Sequence, residues 1–126
     1  MKRLYAALLL LAVITVGSIL QTWHITRTIS ALQQPLTEMS DCIDRNDFST
    51  ACMLLARSHT TYLEHEKLLS AVVNEKLLDE VRMSYARTQA VAQTEQTEQL
   101  YLELAALQQA LEDVRRSEII SLENII

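Results

Sequence analysis

The chain has 126 residues, of which 49% are hydrophobic and 21% charged, and its formal net charge is −5. One glycine and one proline leave almost no material for tight turns, which argues against hairpin-rich β folds, and the acidic balance gives no electrostatic basis for binding nucleic acid or anionic lipid headgroups. Good helix formers dominate, and the length suffices for one small core and not for two.

Residues 4–20, LYAALLLLAVITVGSIL, carry no charge and come directly after Lys2 and Arg3. As a helix they span roughly 26 Å, slightly under the ~30 Å hydrocarbon core of a bilayer. Carrying the helix on to Ile25 gives roughly 33 Å and sets Trp23 and His24 at the far interface, where an apolar ring with a polar N–H is satisfied. The pattern predicts a transmembrane anchor. A cleaved signal peptide is the competing reading, with Lys2-Arg3 as its basic region and Thr15, Gly17 and Ser18 as small residues for a peptidase, but the apolar run outlasts the usual ~7–15 residues. Either reading sends the remainder out of the cytoplasm. Two basic residues at the N-terminus against Arg27 alone on the exit side place the N-terminus inside. Residues 1–26 are thus read as a cytoplasmic stub and anchor. Residues 27–126 are read as an extracytoplasmic domain of formal charge −7, from nine basic and sixteen acidic side chains.

Ile25, Ile29, Leu32, Leu36, Met39 and Ile43 form an unbroken heptad-type stripe in phase with the end of the anchor, which predicts a first helix over about 27–45 continuous with the membrane segment. Pro35 lies inside it. Its ring clashes with the Ala31 carbonyl, which predicts a kink rather than a break, read either as a hinge near the membrane or as a tolerated bend. Asn46 can take the left-handed conformation that ends a helix, and Asp47 can cap the next. Phe48, Ala51, Leu55, Tyr62, Leu69 and Val72 mark a second helix over about 48–73. Its weak point is residues 58–61, where Thr61-x-x-Glu64 resembles a capping box.

Leu78, Val81, Tyr85, Thr88 and Ala92 give a third stripe, over about 76–93. Residues 93–97 contain no apolar side chain and are read as the next turn, with Thr94 as cap, or equally as an exposed stretch of continuous helix. Leu100, Leu104, Leu107, Leu111 and Val114 make the most regular stripe in the chain and a fourth helix over about 97–116, with Arg115 and Arg116 at its negative end and Ser117 as a cap for the last segment. That tail, 118–126, EIISLENII, is too apolar to be left free. Ile119, Ile120, Leu122, Ile125 and Ile126 either pack back on the bundle or bind a partner.

These features together resemble the bacterial domain-of-unknown-function family 4363: a basic N-terminus, one membrane segment and an acidic helical remainder. The matching positions are Asp47-Phe48 at the start of the second helix and Ser121-Leu122-Glu123-Asn124-Ile125 at the end, with similar spacing through Tyr62-Leu63-Glu64-His65. The resemblance covers the whole chain. It implies a membrane-anchored bacterial protein with no assigned activity or catalytic residues.

Chemistry-bearing groups are few. Cys42 and Cys52 flank the Asn46-Asp47 turn, so antiparallel helices could bridge them outside the cytoplasm; helix axes 8–10 Å apart often hold Cα atoms too far from one another, and both are also ordinary small buried residues. His59 and His65 lie on different faces of one helix and make a poor metal pair. Glu64, Glu66, Glu75, Asp79 and Glu80 read as an exposed acidic face. There is no Gly-rich phosphate loop, Cys-x-x-Cys or His-Glu-x-x-His, so no catalytic, metal or cofactor site is assigned. The sequence predicts an all-α protein whose transmembrane helix continues into an antiparallel three- to four-helix bundle. Its expected role is non-catalytic, as an interaction or scaffold module with the bilayer and a protein partner, or a second copy, as its partners. A ligand-sensing bundle acting with a signalling partner, or a secreted helical protein, are the alternatives.

Overall fold

The computed structural model describes the backbone of residues 1–125 and the side chains of residues 1–120. The chain is all-α, with α1 (Lys2–Asp44), α2 (Phe48–Val72), α3 (Glu75–Ala92) and α4 (Thr97–Ile125). Each helix packs antiparallel on the next, and α4 closes the ring on α1, with no diagonal α1–α3 or α2–α4 packing among the described residues. This square up-down-up-down arrangement is what short connections between long amphipathic helices enforce.

The turns obey local chemistry. At the end of α1, Asn46 takes a φ of 58°, and its N–H donates to the Ile43 carbonyl while that of Asp47 donates to Cys42. This pair of bonds satisfies carbonyls that the helix end leaves open. The Asp47 carboxylate then accepts from the Thr50 N–H at 3.2 Å and starts α2. Between α2 and α3, Val73 is extended and Asn74 caps α3 by accepting from the Lys76 N–H. Between α3 and α4, Glu95 takes a φ of 57°. Thr94 closes α3 instead of capping α4, because its hydroxyl donates to the Val91 carbonyl.

The apolar stripes become the core. All six stripe residues of α1 from Ile25 to Ile43 are at most 1% exposed, and Leu100, Leu104, Leu107, Leu111 and Val114 of α4 are buried with them. On α2, Ala51, Leu55, Tyr62 and Leu69 are buried, whereas Phe48 and Val72 pack only partly against the core. Pro35 is buried inside α1, which continues past it unbroken. Thr61 does not cap anything: its hydroxyl donates back to the Arg57 carbonyl within a continuous α2.

The fourth helix differs from the expected span. It runs on through Arg115, Arg116 and Ser117 to Ile125, so residues 118–125 are helix and not a separate tail. Nothing in this stretch stops a helix, since it lacks Gly and Pro, and a lone Ser costs little in a helix interior. Glu118 takes the next core position after Val114 and is buried, which is why an apolar stripe read from sequence ends one turn too early.

Candidate functional site

The feature that sets this molecule apart from a plain bundle is the first half of α1. The side chains from Leu4 to Leu20 that are large and apolar, among them Leu8, Leu11, Val13 and Ile14, are exposed. The helix contains an 18-residue window of mean hydropathy 2.2, of which none is buried. An uncharged, unpaired helical face of this length is too costly to leave in water. It is one apolar helix with the dimensions of a signal anchor or a signal sequence. At its far end the Arg27 guanidinium lies over the Trp23 ring, 5.4 Å from the centroid.

Where α1 enters the bundle, a line of hydroxyls crosses three helices. Ser58 Oγ donates to the Leu32 carbonyl at 2.8 Å and lies 2.7 Å from Tyr85 Oη. A serine hydroxyl has one proton, so Tyr85 is the donor to Ser58. The line reaches α1 three residues before Pro35. Tyr62 stacks on Tyr85 at 5.4 Å and His59 at 5.1 Å. Burial pushes the Tyr85 hydroxyl up to about 12. Burial also raises Tyr62, whose hydroxyl is buried without a hydrogen-bond partner, as is Ser84 Oγ. Both phenols are neutral at physiological pH. The line from Leu32 through Ser58 to Tyr85 joins α1, α2 and α3.

Replacing Ser58 with alanine should cost about 1–3 kcal/mol, because the Tyr85 hydroxyl then becomes a buried donor with no acceptor. Tyr85→Phe should cost nearer 1 kcal/mol, since Ser58 keeps its bond to Leu32. Made on the Tyr85→Phe background, Ser58→Ala should cost clearly less than alone. Urea unfolding of the four proteins measures this, and equal Ser58→Ala penalties on both backgrounds would refute the coupling.

The acidic residues sort by cation. Arg82 meets Glu66, Glu75 and Asp79 at 2.5, 2.9 and 2.6 Å, which ties α2 to the first turns of α3. Arg87 meets Glu80 on its own helix and Glu103 on α4. Four of the five carboxylates expected on a merely solvated face are therefore ion-paired, and sequence spacing within one helix could not have found the interhelical partners. Exposed pairs contribute little each, so these set register more than stability.

Both cysteines are free. Cys42 faces the core, with the Arg45 guanidinium donating to its sulfur at 3.6 Å. Cys52 is exposed, and its thiol lies 4.0 Å from the Ala92 carbonyl of α3. The turn thus makes the two helices neighbours while the two thiols point to different interfaces. His59 Nδ1 accepts from the Gln89 amide at 3.1 Å, and His65 Nδ1 donates to the Thr61 carbonyl at 2.9 Å. The His24 and His65 rings are 6.4 Å apart, across α1 and α2. Among the described residues no three His, Cys, Asp or Glu side chains converge on a metal-sized position. Of the tail residues, Ile119 and Ile120 are exposed, and the side chains of Leu122, Ile125 and Ile126 lie outside the described residues.

Glu118 is a buried acid, and burial holds its carboxyl above the usual carboxylate range. Below the unfolded value, about 4, the group is neutral in both states and costs nothing. As pH rises from there through the raised folded value, a penalty builds and persists at neutral pH. Glu118→Gln should therefore stabilise the bundle at pH 7, and the gain should vanish below about pH 4. Thermal unfolding at the two pH values checks this; a gain independent of pH would sink the assignment.

No curated protein and no solved structure matches this chain. A family model described as a domain of unknown function, DUF4363, matches residues 19–125. The match takes in all four helices of the bundle and leaves out most of the apolar run.

Proposed function

The chain belongs to the DUF4363 family, and on that premise we propose that it is a non-catalytic, membrane-anchored interaction module. The first half of α1 crosses the bilayer and the bundle stands on the extracytoplasmic side. What carries the reading is that one unbroken helix carries an uncharged run over residues 4–20 whose large apolar side chains are exposed, and forms a wall of the core from Ile25 on. Such an anchor fixes the orientation of the bundle, because no loop separates the two halves. Lys2 and Arg3, against Arg27 on the exit side, favour a cytoplasmic N-terminus. A domain held this way acts by presenting a helical surface to a protein partner or to a second copy.

A cleaved, secreted form is the second reading, which the small residues Thr15, Gly17 and Ser18 at the end of the apolar run favour. One experiment separates the two. The anchored form keeps its N-terminus, fractionates with membranes and loses its C-terminal domain to protease added outside cells. A mature chain beginning near Ser18 in the soluble fraction would overturn the anchor. Cross-linking in intact membranes then identifies the partner, and a chain that cross-links to nothing, itself included, would overturn the interaction role.

A further inference from the structure

We propose that the lower end of the bundle is a clasp that the bilayer opens: when α1 spans, residues 16–23 leave the end of the α2–α3 hairpin and enter the hydrocarbon, and a thinner bilayer lets them return. This rests on the anchor reading of α1 and deepens it, by stating what insertion does to the bundle.

The registers of the helices set how far the closed bundle reaches along α1. Ser58 of α2 meets Leu32 and His65 lies beside His24, so seven more residues along α2 bring Val72 level with Ser18. On α3, Arg82 meets Glu66 and Gln89 meets His59, which sets Asp79 level with Gln21, Lys76 level with Ser18, and the turn at Asn74 level with Val16. Burial agrees with these registers. Within residues 4–24 only Thr15, Ser18 and Thr22 are half-buried, at the spacing that leads on to Ile25 and Ile29, and Leu69 and Val73 of α2 are buried at the same depth.

Below Val16 the apolar run has only residues 4–15, roughly 18 Å of helix against a ~30 Å hydrocarbon core. A helix that enters the core at Leu4 and crosses it leaves near Trp23, so about 12 Å of the closed base would stand inside the hydrocarbon. That base ends in charge. Glu75, Lys76, Asp79 and Glu80 are all exposed, and charged side chains exposed to lipid do not accompany a span into the core. The closed base and a full span therefore exclude each other.

The base is the part built to yield. Higher up, α1 gives the bundle Ile25, Ile29, Leu32 and Leu36; at the base it gives only Thr15, Ser18 and Thr22, so parting there forfeits little apolar burial on α1. The same face is tolerated in lipid, because a hydroxyl can bond back to its own helix, as Thr15 does to the Leu11 carbonyl at 2.8 Å. Arg82 holds Glu66, Glu75 and Asp79 together, so the ends of α2 and α3 part from α1 as one unit. Leu69 and Val73, uncovered by the parting, then lie at the membrane surface, where apolar side chains are covered.

The test uses the full chain with Cys42→Ser and Cys52→Ser, which remove its two cysteines, in vesicles of dilauroyl or of dioleoyl phosphatidylcholine, the thinner and the thicker bilayer. Ser18→Cys with Val72→Cys reports the base. Thr37→Cys with Gln108→Cys, whose native side chains are 3.5 Å apart, reports the upper bundle. With a short bismaleimide the upper pair is expected to cross-link alike in both bilayers, and the base pair to cross-link in the thinner one and about tenfold less in the thicker. Val13→Cys, challenged with a membrane-impermeant maleimide, is expected to stay unlabelled in both. A base pair that cross-links equally in the two bilayers, or in neither, while Val13→Cys is protected overturns the clasp and leaves the anchor standing. Labelling of Val13→Cys overturns the anchor, and the clasp falls with it.

Discussion

Arginine at both Leu10 and Ile14 is expected to move the purified full-length protein from the vesicle-bound to the free fraction in a flotation assay, with the bundle still folded. Each arginine near the centre of a spanning helix costs about 2.5–3.5 kcal/mol, so the pair costs about 5–7 kcal/mol. Both side chains are exposed and belong to the half of α1 that contributes nothing to the core. The loss should therefore appear in membrane association alone. Urea unfolding of the bundle, followed by far-ultraviolet circular dichroism, should give the same midpoint for variant and parent. Retention on vesicles would count against the span, and unfolding together with release would mean that the first half of α1 supports the core after all.

The second large effect lies inside the bundle. Leu107→Ala is expected to destabilise it by about 3 kcal/mol, within the 2–5 kcal/mol that removal of a buried leucine side chain generally costs. Against a total of about 5–15 kcal/mol, this is a substantial fraction. For a domain of about a hundred residues it corresponds to a drop in Tm on the order of 15 °C. Leu102→Ala, five positions earlier on the same helix, should change stability by less than about 0.5 kcal/mol, because Leu102 is 72% exposed while Leu107 is fully buried. Equal losses from the two would mean that α4 is rotated about its axis relative to this structure. Loss from Leu102 alone would mean the same.

The contrast between these two leucines also marks how far the fold could be read in advance. Leu100, Leu104, Leu107, Leu111 and Val114 repeat at helical spacing and Leu102 does not, so the buried face of α4 is written in the sequence. So is the α1–α2 turn, since Asn46 and Asp47 carry the two local preferences that end one helix and begin another. The buried hydroxyls were legible only in part. Ser58 fills the position between Leu55 and Tyr62 in the α2 stripe, but a polar side chain there reads as a weak point of the helix until its partners on α1 and α3 are known. The last turns of α4 were hidden because Arg115, Arg116 and Ser117 read as a helix end and the next core position holds the charged Glu118.

The apolar run, the four amphipathic periods and the Asn46-Asp47 turn are properties of neighbours in the chain, and the sequence by itself determined them. It therefore determined the class of fold, the continuity of α1 and the candidate span. Which thiol faces the core, that Glu66 meets Arg82 and Glu103 meets Arg87, and which carbonyl accepts from Ser58 depend on residues 16 to 40 positions apart. No period or spacing carries such pairings, because they arise from the rotation and register of one helix against another. Tertiary structure alone decided them.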